Sequence, residues 1–140
     1  MQTLLAARPN LNARNAQGET ALMHAAIKGR ADIVKLLLDA GAAVNHAGWT
    51  PLMYAAATNQ MDVARMLVAR GAQVNAVAEN GTTALMMAAR EGHLPMVLLL
   101  LEHGADINYT SAFGYNALGV ALERGRREVA DVLMRAGARR

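Results

Sequence analysis

GTTALMMAAREGHLPMVLLLLEHGADIN, residues Gly81 to Asn108, is the stretch whose reading decides the fold. It spells two short helices with defined ends. Thr83 is placed to cap the first, whose interior is Ala84-Leu85-Met86-Met87-Ala88-Ala89, because a Thr hydroxyl accepts an orphan backbone N–H of the first turn. Gly92 suits a left-handed stop, and Pro95 suits the first turn of the next helix. That second helix passes through Val97 to Leu101 and closes at Gly104. Both helices are mostly apolar, and the Ala pair at 88–89 lets a neighbour approach closely. One such hairpin cannot bury its own apolar faces, so it needs copies of itself on either side.

The copies are present. Gly18 to Ala26, Gly48 to Ala56 and Gly114 to Leu122 align with Gly81 to Ala89. The closing glycines Gly41, Gly71, Gly104 and Gly137 each fall 23 residues after the opening ones, and the opening ones are spaced 30, 33 and 33 residues apart.

With these residues in view the chain resembles the ankyrin-repeat family. The matching features are the G-x-T-[AP]-L opening, the Ala-Ala pair, the glycine between helices and the G-A-x-[VI]-N close. That close is seen at Gly41–Asn45, Gly71–Asn75 and Gly104–Asn108. The resemblance covers essentially the whole chain. It implies an all-α solenoid of stacked helix-turn-helix units with projecting hairpin loops, and a concave partner-binding surface formed by loop tips and first helices. One departure stands out. The family's usual His after T-P-L is Met23, Met53 and Met86 here and Gly119 in the last copy, so flexible apolar packing is expected in place of its hydrogen bonds.

The repeats divide the chain into one domain over 1–140, with a partial repeat at 1–14 and full repeats at 15–45, 46–75, 76–108 and 109–140. The partial repeat lacks its first helix, and solenoids need polar end caps, so we expect either chain upstream of Met1, the favoured reading, or a frayed cap. Helices are expected near Ala21–Lys28 and Ala31–Asp39 in the first full repeat. The second has lost three residues between Asn45 and Gly48, which should stunt its finger. It also carries Asn59 where the others carry Gly29, Gly92 and Gly125, the next-best residue for a left-handed cap. Leu98 stands where Lys35, Arg65 and Asp131 stand and should face solvent on the convex back. The last repeat deviates most, with Asn116, Gly119 and Leu122, and reads as a C-terminal cap.

Hydrophobic residues make up 54% of the chain, yet no apolar run approaches the roughly 18 residues of a membrane span. The expectation is therefore a soluble chain without membrane insertion. The cytoplasm is the favoured compartment, and export would require an upstream segment that has been removed. There is no cysteine, which removes disulfides and thiolate chemistry. The net charge of +3 is concentrated at one end, in Arg124, Arg126, Arg127, Arg135, Arg139 and Arg140. No stacking aromatics interleave these arginines, so nucleic acid is the weaker partner class.

Neither a catalytic nor a metal site emerges. His24, assigned to a helix-packing position, and His46, His93 and His103 lack the spacing of zinc ligands. Asp32, Asp62 and Glu128 recur at second-helix starts, where they complement the helix dipole. A catalytic dyad would break such a pattern. Ser111, the one serine, lacks a nucleophile-elbow context. No cofactor, metal or small-molecule substrate is expected. The methionines at 23, 53, 61, 66, 86, 87, 96 and 134 read as core filling rather than as a binding groove.

Aromatics are few and sit in or beside the fingers. The resemblance maps the concave surface onto Glu19, Lys28, Trp49, Thr82, Arg90, Glu91, Tyr109, Phe113 and Tyr115. Arg14, Gln17, Ile27, His46, Ala57, Thr58, Glu79, Asn80, Glu123 and Arg124 extend it. Trp49 and Tyr115 should flank a groove with Arg90 and Glu91 on its floor, and the stunted finger should leave the Trp49 ring uncovered. The competing reading has the aromatics stiffening loops and sealing the stack. The expected function is non-catalytic protein–protein interaction. The alternative is an accessory domain of a larger enzyme or effector.

Overall fold

The structure, a computed structural model, describes Ala13, residues 20–45 and residues 48–138. Apart from Ala13, the partial repeat expected over 1–14 lies outside the described residues. Four helix pairs follow one another. They are α1 (Ala21–Lys28) with α2 (Ala31–Asp39), α3 (Pro51–Ala57) with α4 (Met61–Ala69), α5 (Ala84–Glu91) with α6 (Leu94–Glu102), and α7 (Ala117–Glu123) with α8 (Arg127–Arg135). No strand occurs among the described residues.

Each first helix starts on a side-chain cap. The hydroxyls of Thr20, Thr50 and Thr83 accept the N–H of Met23, Met53 and Met86 at 3.2, 3.3 and 3.2 Å. Asn116 does the same for Gly119 at 2.8 Å, so the most divergent copy keeps its cap with different chemistry. Such a cap contributes about 1 kcal/mol. At Met23 the thioether also accepts the Thr20 N–H at 3.5 Å. The methionine that replaces the family's His is therefore not purely apolar there.

Left-handed residues end the first helices. Gly29 and Gly92 have φ of 70° and 74°, and Asn59 takes the same conformation at 59°. Gly92 is required for a second reason: a Cβ there would lie 2.9 Å from Cδ of Arg126, whose side chain crosses over it.

That crossing belongs to a recurrent strut. The residue after each left-handed position reaches back to the preceding pair and donates to the carbonyl two residues before its left-handed stop. Gln60 Nε2 meets Ile27 O at 3.4 Å, His93 Nε2 meets Ala57 O at 3.3 Å, and Arg126 Nε meets Arg90 O at 3.0 Å. Opposite a carbonyl, His93 must carry its proton on Nε2.

A second row of bonds ties the closing segments together. Asn45 Nδ2 donates to Gly71 O at 3.2 Å while its Oδ1 accepts the Gln73 N–H at 2.8 Å. Asn75 repeats this with Gly104 O and the Asp106 N–H, at 3.0 and 2.6 Å, and Asn108 Nδ2 reaches Gly137 O at 3.3 Å. The first two pairs are further joined by the Asp39–Arg70 ion pair. The Arg70 hydrogen bond holds the Asp39 carboxyl below the usual carboxylate range.

The core runs between the helix rows. Leu22, Leu52, Leu85 and Leu118 occupy one register of the first helices and Leu37, Leu67, Leu100 and Leu133 one register of the second, all buried. Each buried leucine contributes at most about 1.5–3 kcal/mol. The pairs Ala25-Ala26, Ala55-Ala56 and Ala88-Ala89 are buried too, which brings neighbouring first helices close. First helices pack more tightly against one another than second helices do, so the stack bends toward the inner row.

One expectation changes. His24, assigned to a packing position, is exposed. Ala21 is also exposed, whereas its counterpart Ala117 in the last pair is buried. Cover for this face thus comes from the preceding pair, and α1 opens the described stack. Leu98 is 47% exposed, as its register on the convex back requires.

Candidate functional site

The concave side is built from the ends of the first helices and the fingers before them. Finger geometry repeats between the third and fourth pairs. Ala78 N–H donates to Thr82 O at 2.9 Å and Gly81 N–H to Ala78 O at 2.8 Å. In the next finger Ser111 N–H donates to Tyr115 O at 2.8 Å and Gly114 N–H to Ser111 O at 2.9 Å. The Ser111 hydroxyl adds what Ala78 cannot: it accepts the N–H of Phe113 at 3.3 Å and of Tyr115 at 3.1 Å. The last finger is thus pinned from inside, and it presents Phe113 at 72% and Tyr115 at 52% exposure.

Between these fingers and the helices α5 and α7 lies a cleft of about 270 Å³. It brings together Asn80, Thr82, Arg90, Tyr115, Glu123 and Arg124 from the expected surface, with Met86, Ser111 and Val120. Met86 and Val120 give it an apolar base, and the remainder is polar. Glu91 is not part of its wall and instead lies 3.7 Å from Arg90 Nε.

The other expected residues are elsewhere. Lys28 is exposed at the end of α1, remote in sequence register from the cleft, and Glu19 lies outside the described residues. Tyr109 is half-buried and packs against the core cluster. Trp49 requires a correction. Its ring is half-buried rather than uncovered, tilted against Tyr54 with centroids 5.1 Å apart. The shortened finger does not free the indole, because Tyr54, one turn into α3, covers it instead.

Sequence reasoning passed over Ser111, whose importance is in its loop rather than in nucleophilic chemistry. The available signal was the S-x-x-G spacing to Gly114, which places a hydroxyl at the first position of a tight turn. Among the described residues no group of three His, Asp or Glu side chains converges as a metal site. No helix among them is long and apolar enough to cross a membrane.

A family model described as ankyrin repeats (3 copies) matches residues 1–78 and 71–139. No curated protein sequence matches the chain.

Proposed function

The chain belongs to the ankyrin-repeat family, and from that membership we propose that it is a non-catalytic interaction module, one domain over 1–140 that binds a partner protein or peptide on its concave groove and loop tips. Ankyrin repeats are in general protein-interaction modules. The observation that carries the finer reading is the pinned last finger. Phe113 and Tyr115 stand exposed on a hairpin held by four hydrogen bonds, accepted by the Ser111 and Tyr115 carbonyls and, twice, by the Ser111 hydroxyl, beside a cleft of mixed polarity. Ordered aromatics lose little entropy on contact, and such residues carry much of the energy of protein interfaces. Thr82 and Arg90 line that cleft, and the proposed surface also takes in Glu91, Lys28 and Trp49 outside it.

Affinity capture on the immobilised chain tests this reading. Partner proteins retained by the native chain should be retained equally by the convex variants Lys35→Ala and Arg65→Ala and lost by Phe113→Ala and Tyr115→Ala. Equal losses from both faces would exclude the groove as the dominant site.

A further inference from the structure

Hydrogen-bond donors outnumber acceptors in the cleft between the third and fourth pairs. Ser111 is only 6% exposed, and its hydroxyl oxygen already accepts two backbone N–H groups. Both lone pairs are used, so its O–H proton is left to donate, and it meets no acceptor among the described residues. Asn80 commits Oδ1 to the Thr82 N–H at 3.1 Å, which leaves both Nδ2 protons for another group. Arg124 meets no carboxylate among the described residues, and Arg90 has only the 3.7 Å approach of Glu91, outside the cleft wall. Two guanidiniums therefore face a single wall carboxylate, Glu123.

We propose that this cleft takes an aspartate or glutamate side chain of a partner peptide. The carboxylate accepts from Arg90 and Arg124, with the Ser111 hydroxyl as a further donor, and its methylene stem lies against Met86. A carboxylate supplies acceptors and negative charge together, which is what the wall lacks; a lysine or arginine would bring more donors to a site already holding two cations. A volume of about 270 Å³ admits a side chain rather than a folded element, so the segment that carries it is extended over the groove. Glu123 tunes the subsite by opposing the incoming charge. The inference rests on the groove reading above and deepens it by naming the chemistry of the ligand.

The test uses ten-residue random peptides displayed as internal fusions, without a free C-terminus, and selected on the full chain. Asp or Glu should be enriched at one position among the bound peptides. The best peptide, synthesised with an amidated C-terminus, should bind about tenfold more weakly when that residue becomes Asn or Gln, the size of a charge-assisted hydrogen-bonded contact. The same change should cost under twofold on Arg124→Gln, and Glu123→Gln should tighten the acidic peptide about threefold. Circular dichroism melting checks that these exposed-site variants stay folded. Enrichment of Lys or Arg, or Tyr115-dependent peptides with no charge preference, would overturn the carboxylate subsite and leave the groove intact. So would an acidic peptide equally weakened on Arg124→Gln and native chain. Selection returning no peptide, or only peptides indifferent to Tyr115→Ala, would overturn the groove reading itself.

Discussion

Arg126 donates its Nε–H to the backbone carbonyl of Arg90 at 3.0 Å, and the stem of the same side chain crosses over Gly92. One residue thus caps the end of the preceding first helix and occupies the space that glycine leaves there. The helix stop and the contact between pairs are a single device. A substitution at the glycine must disturb both.

Gly92→Val should therefore destabilise the fold by more than Gly125→Val. Both glycines have positive φ, 74° and 71°, so both variants carry backbone strain of about 1–2 kcal/mol. Only at Gly92 does the new Cβ also meet the Arg126 side chain; at Gly125 nothing lies within 4 Å. Denaturant unfolding of the two variants measures the difference. Equal losses would mean that the Arg126 stem moves aside without cost.

Asn75→Ala should loosen the third pair from the second. It removes the bonds to Gly104 O and from the Asp106 N–H, both exposed, and a net loss of about 1–2 kcal/mol is expected for the two. Hydrogen exchange should show faster exchange at the Asp106 amide, with Met86 and Met87 in the neighbouring core unaffected. Protection lost uniformly across the chain would instead point to global unfolding as the only route of opening.

The Asp39–Arg70 pair makes a pH-dependent contribution with a definite sign. The folded carboxyl titrates below its unfolded value, chiefly through the Arg70 hydrogen bond, so the folded state holds its proton less tightly. The contribution is fully present above the ordinary carboxylate pKa of about 4 and fades as pH falls through the lowered folded value. Both side chains are well exposed, at 38% and 51%, so the effect is small and weakened by salt. Asp39→Asn should flatten this part of the stability–pH curve, most visibly in low salt. An unchanged curve would show that the pair contributes nothing in solution.

The helix boundaries were legible because their chemistry is local and repeated. A Thr or Asn three residues before the first buried N–H and a Gly or Asn at the stop define each first helix without reference to its neighbours. The struts were not legible. Gln60, His93 and Arg126 look unrelated in an alignment, yet each supplies an N–H at the end of a side chain of sufficient reach, and the bond depends on the spacing between pairs. The closing Asn was visible as a motif, but not its two bonds to the next pair. At the candidate site the exposure of Phe113 and Tyr115 followed from their place in a finger. The Trp49–Tyr54 contact did not, because it joins a loop residue to a helix residue five positions on, where no simple periodicity applies.

That contact separates two aromatics that a sequence treats alike. Trp49 is half-buried against Tyr54, so Trp49→Ala removes packing within the folded chain as well as any partner contact. An aromatic pair of this kind contributes about 0.5–1.5 kcal/mol beyond its buried area, and the melting temperature should fall accordingly. Phe113 is 72% exposed on a finger whose hydrogen bonds use only its backbone, so Phe113→Ala should change stability by less than about 0.5 kcal/mol. Its effect belongs to binding, where an anchor residue is worth about 2 kcal/mol. Melting curves and binding isotherms on the two variants, with Lys35→Ala as the convex control, resolve these contributions. If Phe113→Ala lowers stability as much as Trp49→Ala does, the last finger is a structural seal on the stack and not a contact point for a partner.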